Sequence, residues 1–230
     1  MLNVYDRQRQ WRKPAFQPWK QLRHHKGKTF LANPRPFRED AALYFPNFQG
    51  YTLADYSAIS DTTKALRGKF SIVRMVSEYW SAMQCDTWMD EVRHPELVAA
   101  LERLKDKELQ IVRIHITEER VKSLMVWWSK NWYRKQIPQQ EWSTCFMVRR
   151  GVDDYMRRDI SMTNPKVGHV YVIDQNCKIR WAGCGDATDE ERESLLSAVR
   201  RLVEPETFSA QQRKAEIEQR IQTKAAKLTA

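Results

Sequence analysis

Residues 168–203 read as a strand, a tight turn, a returning strand and a capped helix, an order that few folds can accept. Gly168 to Asp174 and Lys178 to Gly183 are separated only by Gln175, Asn176 and Cys177, so they pair as an antiparallel hairpin. Thr188 and Glu191 stand at capping-box spacing. The helix they open sets Leu195, Leu196, Val199, Leu202 and Val203 on one face and stops at Pro205. Upstream the pattern differs, because strands alternate with helices. Ser71 to Trp80, introduced by Gly68, reads as a strand. Asp86 serves as N-cap for a short helix through Arg93, and His94-Pro95 restarts it with Leu97, Leu101 and Leu104 facing inward. Leu109 to Ile116 is a second strand. A long helix from about Glu118 to Gln136 follows, with Val121, Leu124, Met125, Trp128 and Trp132 on one apolar face, and Pro138 ends it. Thr144 to Val148 is a third strand, and Gly151 to Ser161 a short helix.

Strands separated by helices need parallel crossovers, whereas the terminal hairpin adds antiparallel strands. The predicted class is α/β: a thioredoxin-like mixed sheet flanked by helices. Trp80 would end the first core strand, where thioredoxins carry Trp-Cys-x-x-Cys, and Pro165 precedes the hairpin, where such folds often hold a cis proline. Aligned on Trp80, the two exchange positions are Ser81 and Gln84. Disulfide exchange needs one thiolate to attack and a second thiol to resolve, and neither residue supplies one. Cys85 lies one residue beyond, near a helix start that would lower its pKa and beside Asp86, which would raise it. A thiol redox enzyme using Cys85 is therefore one alternative to an inert structural thiol. Cys145 reads as core, while Cys177 and Cys184 edge the hairpin. The four cysteines form no C-x-x-C and no zinc spacing, so they suit free thiols in a reducing compartment. Seven glycines argue against a glycine-rich phosphate loop, and no cofactor is expected.

The formal charge of +10 is unevenly placed. Residues 1–38 hold ten Lys or Arg and one acid, Asp6; residues 39–230 hold 29 basic and 28 acidic side chains. Pro14, Pro18, Pro34, Pro36 and Pro46 break regular structure, so residues 1–68 read as an extended basic arm, 69–204 as the thioredoxin-like domain and 205–230 as a charged helical tail. The arm has several readings. It belongs to an organelle-targeting sequence, or binds anionic lipid or an acidic partner through Trp11, Phe16 and Trp19, or binds RNA phosphates, or is a solvated tail. The longest apolar run, Ser71 to Trp80, is short and holds Arg74 and Glu78, so any membrane contact is expected to be peripheral.

Several stretches carry a family resemblance. They are Gly27-Lys-Thr-Phe-Leu-Ala-Asn-Pro-Arg-Pro-Phe37, Tyr44-Phe-Pro-Asn-Phe-Gln-Gly-Tyr-Thr-Leu53, Thr62-Thr-Lys-Ala-Leu-Arg-Gly-Lys-Phe-Ser-Ile-Val73, Tyr133-Arg-Lys-Gln-Ile-Pro138, and Val167 to Gly183 with its Arg180-Trp181-Ala182-Gly183 end. In this order, from about residue 27 to 203, the chain resembles the ATP-ten family of mitochondrial ATP synthase (F1Fo ATPase) assembly factors. The resemblance implies a protein on the matrix side of the mitochondrial inner membrane. It would be a non-enzymatic chaperone for the newly made proton-channel subunit of the membrane sector, with no metal and no nucleotide. Members normally carry an import sequence, and the stretch before residue 27, proline-containing and without Ser, is poor as one.

Candidate partner-binding residues are Trp11 and Trp19 in the arm, Trp127 and Tyr133 on the long helix, and Arg180 and Trp181 on the hairpin. For the tryptophans the competing reading is ordinary packing, and for Arg180 a cross-strand ion pair with Asp174. Period-2 alternation predicts that Ile179 and Trp181 share one side, which faces the last helix or another covering element. Besides the chaperone and the Cys85 enzyme, a structural subunit of a mitochondrial ribonucleoprotein such as the mitoribosome remains, with the arm on RNA. In that reading Trp11, Phe16, Trp19 and His24-His25 interleave with the basic residues for stacking and phosphate contact.

Overall fold

The computed structural model describes residues 27–105, 108–117 and 130–208. In chain order the elements are β1 (Gln49–Thr52), β2 (Ile59–Asp61), α1 (Thr62–Leu66), β3 (Phe70–Val76), α2 (Tyr79–Asp86), α3 (Pro95–Lys105) and β4 (Leu109–Ile116). There follow α4 (Lys130–Gln136), β5 (Cys145–Val148), α5 (Asp154–Asp159), β6 (His169–Ile173), β7 (Ile179–Cys184) and α6 (Asp189–Val203). Short 3₁₀ turns cover Thr87–Met89 and Gln139–Thr144. Among the described residues the strands make one sheet in the order β2-β1-β5-β4-β3-β6-β7. β3, β4 and β5 are parallel, and the other pairs antiparallel. Its β4-β3-β6-β7 part, with α2 and α3 in the crossover and α6 after the hairpin, is the thioredoxin-like arrangement predicted from the sequence. β5 extends it outside β4.

Alternation along each strand sorts the core into two layers. Val73, Met75, Val112, Ile114, Tyr171 and Ile173 face one side, under Phe45, Phe48, Leu66 of α1, Ile160 and Met162. Ile72, Val76, Val170, Val172 and Trp181 face the other, under Cys85, Trp88, the Leu97, Leu101 and Leu104 stripe of α3 and the Leu195 and Val199 stripe of α6. Each of those leucines, buried, contributes about 1.5–3 kcal/mol relative to exposure. The capping box forms: Glu191 N donates to the Thr188 hydroxyl, and Thr188 N donates to the Glu191 carboxylate.

Four expectations change. Residues 27–68 are not a free arm. β1, β2 and α1 lie in the folded body, and residues 28–45 strap the outer edge of β7. Phe37 N donates to Arg180 O at 2.6 Å, Ile179 N to Leu43 O at 2.8 Å and Phe45 N to Cys177 O at 2.8 Å. The strap satisfies an edge that would otherwise invite another strand. The first core strand ends at Val76, so Trp80 sits in α2 and not at a strand end. Asp86 closes α2 instead of opening a helix, because the turn that does begin there is 3₁₀. Ile179 and Trp181 point to opposite faces. Opposite β7, Val172 pairs with Trp181 but Ile173 pairs with Ile179, so Arg180 is an extra residue in a β-bulge that flips the alternation.

Most of the long helix predicted from Glu118 lies outside the described residues, as do the arm before Gly27 and the tail beyond residue 208. Among the described residues no peptide bond is cis, Asn164–Pro165 included. None of their helices is long and apolar enough to cross a membrane.

Candidate functional site

The first βα junction is where a thioredoxin-like fold places its chemistry. Here β3 ends at Val76, two residues turn, and α2 starts at Tyr79. Ser81 is wholly buried, and its hydroxyl is engaged three times. It accepts from Ser77 N and Glu78 N, each at 2.9 Å, and donates to Glu78 O at 2.7 Å. Gln84, also buried, accepts from Gly168 N at 3.0 Å and so ties α2 to the start of β6. The residues at the exchange positions are thus structural.

Cys85 is fully buried with Sγ 3.6 Å from His169 O. Burial pushes its thiol up to about 11; Arg74 opposes the shift and Asp86 adds to it. A Cβ on Gly168 would lie 2.3 Å from Ser81 O and 2.8 Å from Cys85 Sγ, so β6 closes over this spot and leaves no path for a disulfide substrate. Cys145 is likewise pushed up, to about 12, by burial. None of the described cysteines is bridged.

The outward side of α2 has the opposite character. Tyr79 is 77% exposed, Trp80 44% and Met83 46%, and all three lie within the first five residues of the helix. The Lys166–Glu78 ion pair brings the loop before β6 to the same end of α2. Large apolar side chains grouped on a surface mark contact sites more often than single ones do.

On the flank of α2 that faces α4, a cavity of ≈ 200 Å³ opens over β3 and β4, lined by Arg74, Val76, Ala82, Asp86, Arg113, His115, Tyr133, Gln136 and Ile137. Arg74 pairs with Asp86, and Arg113 with Glu141 of the 3₁₀ turn. The His115 ring meets Tyr133 edge-on at 5.0 Å. Burial first, then Arg74 and Arg113, push the imidazole down to about 4, so it is neutral at pH 7. Among the described residues no group of His, Cys, Asp or Glu is placed to hold a metal ion.

Of the residues singled out from sequence, Tyr133 lines this cavity. Arg180 is held in place: Nε donates to Phe37 O at 2.9 Å, and Nη1 pairs with Asp174 at 3.2 Å. Trp181 is wholly buried, edge-on to Trp88 at 5.4 Å, with Nε1 donating to Asn33 O and Ser194 Oγ. It is core, and its candidacy as a contact residue is corrected accordingly. Trp11, Trp19 and Trp127 lie outside the described residues. Sequence reasoning missed Arg74, Arg113 and His115. A signal was present, since Ile72-Val73-Arg74 and Ile111-Val112-Arg113 repeat one tripeptide in two strands read as parallel neighbours.

A family model described as ATP10 protein matches residues 6–202. A Saccharomyces cerevisiae protein named mitochondrial ATPase complex subunit ATP10 is 32% identical over 185 residues, covering 77% of this chain and 66% of that one. A Candida glabrata protein of the same name is 28% identical over 184 residues, covering 79% and 64%. The chain therefore spans slightly less than two thirds of the length of these relatives. Among solved structures, a thiol:disulfide interchange protein from a Bacteroides species matches with a TM-score of 0.42 at 16% identity, covering 70% of this chain and 89% of that one. A secreted thiol-disulfide isomerase from Corynebacterium glutamicum matches with a TM-score of 0.44 at 10% identity, covering 78% and 98%.

Proposed function

The chain belongs to the ATP10 protein family, and from that premise we propose that it is a mitochondrial assembly factor for ATP synthase which acts by holding a partner and not by catalysis. In this reading it works on the matrix side of the inner membrane and shields the newly made proton-channel subunit of the membrane sector until assembly. The relatives' names support the link to the ATPase complex. The observation that carries the holding role is the contrast at α2. Ser81 and Gln84 are consumed by structural hydrogen bonds, whereas Tyr79, Trp80 and Met83 stand exposed on the same helix. The apolar face of a membrane subunit outside the bilayer needs such a surface to cover it.

The test is site-specific photo-crosslinking from position 79 or 83 in mitochondria that are translating their own subunits. Position 92, 92% exposed on the loop after α2, serves as control. Crosslinks from 79 and 83 to a new membrane-sector subunit, absent at 92, are expected. A Tyr79→Ser/Met83→Ser chain that restores full ATP synthase assembly in a null strain would refute the assignment of this face. Crosslinks to ribosomal RNA or ribosomal proteins would instead favour a ribonucleoprotein role.

A further inference from the structure

Two arginines side by side on neighbouring strands require an explanation. In the parallel register Arg74 and Arg113 are direct partners, and like charges set opposite each other destabilise a sheet. Asp86 answers one and Glu141 the other, so the charges balance, yet both guanidiniums still line the ≈ 200 Å³ cavity. The two acids are held differently. The Glu141 side chain is 18% exposed and the Asp86 side chain 67%, against 14% for Arg74. Asp86 engages Nη2 of Arg74, while the adjacent Nε–H is buried and meets no oxygen acceptor, the Cys85 thiol beside the guanidinium being only a weak one. A buried donor of that kind costs about 1–3 kcal/mol, so it calls for an acceptor.

We propose that this cavity binds one carboxylate, the side chain of a Glu or Asp in an acidic segment of a partner protein, which takes Arg74 over from Asp86. Nε and Nη2 form one edge of the guanidinium fork, and a carboxylate that engages both makes the bidentate pair that a single contact to Nη2 does not. The exchange keeps the charge balance. Asp86, already two-thirds in water, returns to solvent at little cost, as an exposed ion pair is worth about 0–1 kcal/mol. The cavity is smaller than the roughly 300–1,000 Å³ of pockets for drug-sized ligands, which fits a single short side chain. Val76 and Ala82 give it apolar walls for a methylene stem. The proposal does not depend on the ATP synthase reading or on the patch at Tyr79 and Met83.

The test titrates the full chain with Ac-Ala-Glu-Ala-NH₂, its Gln counterpart and inorganic phosphate, followed by the NMR signals of His115 and Tyr133. The Glu peptide is expected to shift both signals, and the Gln peptide to shift neither. Asp86→Asn removes the internal competitor and is expected to tighten binding about three- to fivefold; Arg74→Gln should abolish it. Bound carboxylate should also move the His115 titration upward. The groups facing that ring are Arg74 on β3, Arg113 on β4, Asp86 on α2 and Tyr133 on α4. If Arg74→Gln does not fold, the Asp86→Asn comparison decides, since Asp86 is largely exposed. Equal response to the Glu and Gln peptides overturns the proposal. So does phosphate binding without peptide binding, or Asp86→Asn with unchanged affinity.

Discussion

Cys85 and His169 show how strongly position governs a side chain here. Cys85 has the sequence context of a reactive thiol, one residue past an exchange position, yet β6 seals it and burial suppresses its thiolate. Cys85→Ser is therefore expected to complement a null strain fully. A null phenotype from a soluble, folded Cys85→Ser protein would bring back a thiol enzyme. His169 stacks parallel to Tyr171 at 6.1 Å; Nδ1 lies 2.9 Å from Val167 O, and Nε2 is buried without a partner. Burial outweighs the Val167 contact and lowers its pKa to about 4. A base depressed on folding stabilises the protein above its unfolded pKa, near 6.5, and loses that contribution as pH falls towards 4. Resistance to urea should thus decline from pH 6.5 to 4, by up to about 3 kcal/mol from this residue. His169→Phe should flatten part of that slope and leave the share of His115; an unaltered slope would mean His169 is not buried neutral. Composition could not reveal this site. It shows which residues exist, but Arg74, Arg113 and His115 become a cavity only once the register sets two Ile-Val-Arg runs side by side.

At the scale of elements, periodicity was a sound guide wherever one rule ran unbroken. The α3 stripe, the capped α6 and the hairpin all follow the positions of Leu97, Leu101, Leu104, Leu195 and Val199. It failed where a single residue breaks the rule. Arg180 bulges out of β7, so Ile179 joins Tyr171 and Ile173 while Trp181 joins Val172 and Leu195. Alternation has no term for an extra residue, because a bulge is decided by pairing with another strand. Arg180 is held on both sides, to Phe37 O and to Asp174, which fixes the bulge. Trp181→Ala would empty a site walled by Trp88, and it would remove the indole donor from Ser194 Oγ and one of the two donors from Asn33 O, which keeps the Ser194 hydroxyl. A loss of about 3–5 kcal/mol in urea unfolding is expected, as for other buried aromatic truncations. A loss below about 1 kcal/mol would contradict the packing described. Gly183 belongs to the same arrangement: its Cβ would lie 2.4 Å from the Trp88 ring, so Gly183→Ala should also destabilise.

For the whole molecule, the folded body already includes Lys28 and Ala32, well before the boundary at 68 that the prolines suggested. Prolines exclude helices and inner strands but permit an extended strap, and a strap needs only backbone partners. Lys28 already pairs with Glu191 at 2.5 Å, Ala32 N donates to the same carboxylate at 2.9 Å, and Phe45 and Phe48 enter the core. Two truncations should therefore behave differently. Removing residues 1–26 takes away seven Lys or Arg and one Asp, a net change of six charges, and should leave the melting temperature of the body nearly unchanged. Removing residues 1–47 also strips Phe45 and the strap from β7, and should give an unstable chain that aggregates through its bared edge. The shorter truncation then tests the basic segment alone. If that segment helps hold the protein to its partner by charge, the intact chain should dissociate as salt rises, since exposed charges are screened over about 8–10 Å at 0.1–0.15 M. The truncated chain should bind more weakly and with less salt dependence. Nuclease separates the remaining readings: a protein held by RNA is released by RNase, whereas one held by lipid or by a membrane subunit stays in the membrane fraction. Equal retention of both chains at low and moderate salt would show that residues 1–26 take no part in the association.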